Sequence, residues 1–166
     1  MNRTIVLGID PGSVVSGYGI IQREGRASLL LDCGYLQMSS TKSLVERVHT
    51  FYTFFGQKIA QHNVTDLALE TPFCGVNPQS FVKLGYLRGV LYLLVQQHNL
   101  QLHEFSPSQV KQTVTGYGKA SKEQVERIIM QLFPKLPIQK KKDVTDALAV
   151  MLCGLWQQQR PLMQFR

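Results

Sequence analysis

Apolar positions along this chain follow two periods, and the change between them marks out the elements. "TIVLGID" (residues 4–10), "SGYGIIQR" (16–23) and "ASLLLDCGYLQM" (27–38) are short aliphatic-rich runs separated by Gly-containing turns. They predict three strands in an antiparallel meander. From residue 44 the period lengthens. Leu44, Val48, Phe51, Phe55 and Ile59 fall at i, i+4, i+7, i+11 and i+15, the single stripe of an amphipathic helix. "DLALE" (66–70) and "LQLHEF" (100–105) read as further short strands. Residues 78–98, 121–133 and 143–159 read as helices, the last stopped ahead of Pro161. Three meandering strands followed by alternating helices and strands predict an α/β fold, a mixed five-stranded sheet with helices on both faces. No repeat or low-complexity linker divides the 166 residues. One domain over 1–158 is expected, with 159–166 as a polar C-terminal tail.

The helix at 78–98 is apolar nearly all round, with Phe81, Leu84, Leu91 and Val95 on one side and Tyr86, Val90 and Leu93 on another. One side can pack on the sheet and the rest needs a second cover, with Gly85 and Gly89 permitting close approach. That cover is either the interior of the same chain or a second copy across a two-fold seam.

Composition adds class and compartment. The chain is 44% hydrophobic, and its longest apolar stretches, such as "VLYLLV" (90–95), are too short to span a bilayer, so no membrane role is expected. The chain enters "TIVLGID" without the charged, apolar and small-residue series of a signal peptide, so a cytoplasmic location is expected. Cys33, Cys74 and Cys153 are scattered singly and lack zinc-site spacing, which fits reduced thiols. Eighteen Lys and Arg against eleven Asp and Glu give a net charge of +7. The span from Lys111 to Lys142 holds eight of those cations and only Glu123 and Glu126 in return, +6 of the +7. So concentrated a positive segment suits a polyanion such as nucleic acid, or else forms a solvated basic face.

With eleven acids, each can be weighed by its place. Glu24, Glu46, Glu123 and Glu126 sit in polar or helix-surface contexts. Asp66 opens a strand, where a turn acid is ordinary, and Asp32 and Glu104 lie within strands as paired or outward-facing residues. Four remain. Asp10 ends the apolar run "IVLGID" and Glu70 ends "LALE", each followed closely by proline, which cannot continue a β ladder. Asp143 and Asp146 lie one turn apart at the start of an apolar helix and so share a face. An N-cap and a dipole-favoured first-turn acid would also account for that pair. If the first and fourth strands are neighbours, their tips bring Asp10 and Glu70 together, and a helix start can cover them. Carboxylates so gathered repel one another unless a cation intervenes, and hard oxygen donors suit Mg²⁺ or Mn²⁺. Two such ions can hold a phosphodiester and activate water, so the acids and the basic segment together point to a metal-dependent nuclease.

"GIDPGSVVSGYGII", "ALETPF", "SPSQVKQTVTGYGKASKEQV" and "DVTDALAV" resemble the RuvC family of bacterial Holliday junction resolvases, in order and in spacing, across roughly residues 4–156. The resemblance implies a ribonuclease H-like fold and a homodimer that nicks opposed strands of four-way junction DNA. Paired Mg-dependent cuts would leave 5′-phosphate and 3′-hydroxyl ends. It also implies Asp10, Glu70, Asp143 and Asp146 as metal-binding catalytic carboxylates, with two Mg²⁺ per site and Mn²⁺ as a substitute. Lys111 and Lys122 match positions that contact the scissile region, and Lys119 lies nearby, where ordinary surface charge explains it as well. Phe73, in the loop "TPFCGVNP", matches an aromatic that stacks on a base near the crossover, although a loop aromatic can also fold back on the core. The family's bacterial branch-migration complex, of RuvA and RuvB family proteins, is implied as a partner. Three other readings are an actin-like ATPase, a ribonuclease H-like nuclease acting on structured RNA and a non-catalytic DNA-binding module. For the first, "GSVVSG" lacks the Lys-Ser/Thr that completes a P-loop, and 166 residues are not expected to hold the second domain that such an ATPase needs.

Overall fold

Alternation within the first strands decides how the layers assemble. In the computed structural model, which describes residues 3–72, 78–136 and 141–157, β1 (Thr4–Asp10), β2 (Val15–Glu24) and β3 (Ala27–Gln37) form the expected meander. Then follow α1 (Leu44–His62), β4 (Asp66–Glu70), α2 (Pro78–Gln97), β5 (Gln101–Phe105), α3 (Pro107–Thr115), α4 (Lys122–Leu132) and α5 (Lys141–Gln157). The sheet runs β3-β2-β1-β4-β5. β1, β2 and β3 pair antiparallel, while β4 lies parallel to both β1 and β5.

Side chains at i and i+2 share a face, so β1 splits its residues between two cores. Ile5, Leu7 and Ile9, with Leu67 and Leu69 of β4, face α1 and α2 and pack on Phe51, Phe55, Ile59, Leu87, Leu91 and Leu94. Val6 and Ala68 face α3, α4 and α5. Asp66, expected as an ordinary turn acid, is instead buried. It accepts from Thr65 Oγ1 at 2.6 Å and lies 2.7 Å from His103 Nε2, pinning the start of β4 to β5. Asp32 is paired, accepting from Lys58 at 2.5 Å and tying β3 to α1.

Two elements differ from the sequence reading. The α3 helix was not foreseen; its polar composition hides a single turn-to-turn pair of buried residues, Val110 and Val114. Its caps were visible: Ser106 and Gln109 form a reciprocal capping box, Pro107 stands in the first turn, and Gly116 closes the end at φ 77°. On α2 the buried stripe is Leu87, Leu91 and Leu94 with Arg88 beside it, whereas Tyr86 and Leu93 are exposed.

The central helix, α5, is buried almost all round, every residue from Ala147 to Leu155 lying in the interior. It lies so close on β1 that a Cβ added at Gly8 would stand 2.5 Å from the backbone nitrogen of Met151. Backbone cannot retreat as a flexible side chain can. Gly8→Ala is therefore expected to push α5 outward and to cost about 1–3 kcal/mol, as overpacked cores do. A urea melt checks this, and an unchanged midpoint would refute the close-packing account.

Candidate active site

Asp10 and Glu70 end neighbouring parallel strands, one step beyond the Ile9–Leu69 pairing. By alternation both belong to the α5 side of the sheet, opposite to Ile9 and Leu69. The chain leaves Asp10 through a clamped turn. Ser16, fully buried, accepts from Gly12 N at 3.0 Å and donates to Gly12 O at 2.9 Å. A Cβ at Gly12 would lie 2.0 Å from the Val15 carbonyl oxygen, so no other residue fits there without moving the turn. Arg47 of α1 donates to Ser13 O at 2.9 Å and holds the same turn from outside.

A cleft of about 250 Å³ opens over these tips. Asp10, Glu70 and Asp146 line it together with Lys111 of α3 and Lys122 of α4, above apolar Val110, Val125, Ala149 and Val150. Lys122 Nζ donates to Asp146 Oδ2 at 2.6 Å. Burial, and then the negative charge of Asp146, hold the Glu70 carboxyl above the ordinary carboxylate value; Lys111 and Lys122 pull the other way without cancelling the rise. The cleft thus still disfavours the Glu70 anion after its own two cations have acted. Cys153 beneath it is pushed up to about 11 by burial, so it stays a thiol and supplies no nucleophile at neutral pH.

Of the residues singled out in the sequence, Asp10, Glu70, Asp146, Lys111 and Lys122 meet in this cleft. Lys119 is exposed on the loop joining α3 to α4 and is not among the lining residues. Asp143 falls in the first turn of α5, three residues before Asp146, and its side chain lies outside the described residues, as does all of Phe73. Pro107 and Val110 of the unforeseen α3 also form part of the wall. Among the described residues no three His, Cys, Asp or Glu side chains stand close enough to make a ready ligand cluster. The donor set nevertheless fits a hard divalent cation: three carboxylates from three elements in one cleft, with burial and Asp146 raising the pKa of Glu70.

A mixed sheet of order β3-β2-β1-β4-β5, with acids at the tips of its two central strands and a third on the covering helix, defines the class as a ribonuclease H-like enzyme fold. The family model of crossover junction endodeoxyribonuclease RuvC matches residues 6–154. The enzyme of that name from Prosthecochloris aestuarii is 43% identical over 151 residues, covering 91% of this chain and 81% of the relative. That from Alkaliphilus oremlandii is 40% identical over 149 residues, covering 90% and 91%. The structure of T. thermophilus RuvC in complex with a Holliday junction substrate aligns at TM-score 0.84 and 24% identity, over 93% of this chain and 94% of the other, and supports the fold. The chain belongs to the RuvC family of crossover junction endodeoxyribonucleases. Among the described residues no helix is long and apolar enough to cross a membrane.

Proposed function

We propose that this chain resolves four-way DNA junctions by paired, symmetric nicks that leave 5′-phosphate and 3′-hydroxyl ends. The observation that carries the reading is the cleft itself, in which Asp10, Glu70, Asp146, Lys111 and Lys122 come together from β1, β4, α3, α4 and α5. Asp10, Glu70 and Asp146, with Asp143 as a fourth donor, would hold two Mg²⁺ per site, Mn²⁺ being a workable substitute. Bound there, the metal supplies Lewis-acid activation of water and of the scissile phosphate.

The chain's own residues do the rest. Lys111 and Lys122 neutralise phosphate oxygens and the charge that develops on the departing 3′ oxygen. Val110 and Val125 keep the floor of the cleft apolar, which strengthens each charge interaction above it. Asp10 and Glu70 are held on strand tips, so little reorganisation is needed as the phosphate arrives. Phe73 would stack on a base beside the crossover, and Lys119 would contact the DNA backbone outside the cleft.

Two symmetric cuts call for two sites, and α2 offers a surface for a homodimer. Val82, Tyr86 and Leu93 are each about half exposed there, at 50%, 52% and 50%, and among the described residues nothing lies within 4 Å of a Cβ built on Gly85 or Gly89. A sedimentation experiment at micromolar concentration is expected to return a dimer; monomer alone would remove this part of the reading. The nuclease domain would run to about residue 158, with 159–166 as a tail, and the enzyme would act in the cytoplasm with a RuvA and RuvB family branch-migration complex.

Cleavage of a four-way junction, a linear duplex and a structured RNA by the same preparation, with Mg²⁺ present and then chelated, tests the function. Junction-selective nicking that vanishes with the metal is expected. Preference for the RNA would instead favour an RNA-processing relative, and binding without any cleavage a non-catalytic module.

A further inference from the structure

We propose that Arg88 of α2 is a positioning residue for Glu70, acting through the backbone from the opposite face of the sheet; the proposal rests on the reading of Glu70 as a catalytic carboxylate. Arg88 is 5% exposed, a guanidinium buried against the core side of α2. Its Nη1 donates to the carbonyl oxygen of Glu70 at 2.6 Å. Its Nη2 donates to Glu104 Oε1 of β5 and, at 3.2 Å, to the hydroxyl of Tyr92. Tyr92 in turn donates to the same Glu104 oxygen at 2.8 Å, so the guanidinium is gripped from two elements.

The register explains why this contact falls where it does. Glu104 pairs with Leu69 across β4 and β5, and both belong to the side that α1 and α2 cover. Glu70, one residue on, turns its carboxylate to the other side, into the cleft. Arg88 therefore touches no part of the reacting site and holds only the peptide that carries it. At this point the ladder is running out: Thr71 N donates to Phe105 O at 2.7 Å, and the chain then departs through Pro72. A strand-end carbonyl buried without a donor would be costly, and Arg88 supplies that donor.

A buried ion pair is a poor device for stability alone, since well-packed apolar residues of similar volume often serve as well or better. What an apolar residue cannot do is fix the Glu70 carbonyl, and with it the direction of the Cα–Cβ bond into the cleft. Misplacement of a catalytic group by about 1 Å costs on the order of 100-fold in rate. Loss of a partner that orients a metal ligand costs about 10–100-fold in metal affinity or activity. Arg88 falls in that category, with its action transmitted through a peptide group rather than a side chain.

The test compares wild type with Arg88→Met and Arg88→Lys, the first keeping an unbranched apolar stem without charge or donor, the second keeping charge but unable to bridge both acceptors as the planar guanidinium does. Three quantities are read on folded protein: single-turnover junction cleavage, junction affinity without divalent metal, and Mn²⁺ affinity by calorimetry without DNA. Expected for Arg88→Met are junction affinity within about twofold of wild type and Mn²⁺ affinity and cleavage each down about 10–100-fold, with Arg88→Lys between the two. Should Arg88→Met fail to fold, Arg88→Lys carries the same readouts. Melting temperature falling while Mn²⁺ affinity and cleavage of the folded fraction stay at wild-type level would reduce Arg88 to a structural role and overturn the proposal. Glu70→Gln is run alongside. If it is inactive while the Arg88 variants are normal, this proposal alone fails; if it cleaves normally, the reading of Glu70 fails and takes the proposal with it.

Discussion

Asp10→Asn is expected to give a folded protein that binds a four-way junction and does not cut it. The side chains are nearly isosteric, and Ser16 clamps the turn that follows at both polar atoms of Gly12, so the end of β1 keeps its shape. What is lost is one of the three carboxylates that three elements bring to the cleft. Metal-assisted stabilisation of a phosphoryl transition state is worth several kcal/mol, so its loss lowers the rate on the order of 10³-fold or more. Binding depends on phosphate contacts with cations, and removing an acid from the cleft that Lys111 and Lys122 line does not weaken those. Single-turnover nicking and a gel shift on the same preparation separate the two effects. Cleavage by Asp10→Asn within tenfold of wild type would show that Asp10 is not a ligand.

Glu70→Gln is expected to lose cleavage in the same way and, unlike a typical core-edge substitution, to stabilise the fold. Burial and the neighbouring Asp146 raise the Glu70 pKa in the folded protein above its ordinary value of 4.5. At neutral pH the native state therefore carries an anion that the unfolded chain solvates better, and this opposes folding. As pH falls through the raised pKa toward 4.5, the native state takes up its proton first and the opposition fades. Below 4.5 both states are protonated and Glu70 contributes nothing further. Without added metal, the melting temperature of Glu70→Gln should exceed that of wild type at pH 7, and the gap should close between the raised value and 4.5. Added Mg²⁺ should reverse the order at neutral pH, because a ligand that binds the native state stabilises wild type by mass action and finds a weakened site in the variant. A variant less stable than wild type at pH 7 without metal would mean that the ionised carboxylate supports the fold.

The sheet and most helices were legible because their signals are local. "TIVLGID" and "DLALE" fall on β1 and β4, and the stripe from Leu44 to Ile59 marks the buried side of α1. The convergence of Asp10 with Glu70 required one non-local fact, the parallel pairing of β1 with β4, which a chain read residue by residue leaves conditional. α3 escaped notice because two valines make too faint a stripe, although Ser106, Gln109 and Gly116 framed it. Arg88 gave no signal: one arginine among apolar residues reads as the polar edge of a helix, and only the fold turns it inward onto a strand end. Asp66 and Glu104 show the same limit, since a strand acid in sequence does not say whether a histidine or an arginine waits across from it.

The acids of the cleft are mounted in two different ways. Asp10 and Glu70 stand on adjacent parallel strands, whose separation of about 4.8 Å is fixed by backbone hydrogen bonds and is indifferent to side-chain identity. Their spacing acts as a ruler that holds as long as the sheet does. Asp146 rides on α5, which is seated by close packing over Gly8 and by one hydrogen bond, from Arg23 of β2 to Leu155 O at 3.1 Å, rather than by a ladder. The cleft therefore has one jaw set by the backbone ladder and one set by side-chain packing. Changes to the packing under α5 should therefore move Asp146 against the other two acids, while the spacing of Asp10 and Glu70 stays where the sheet sets it.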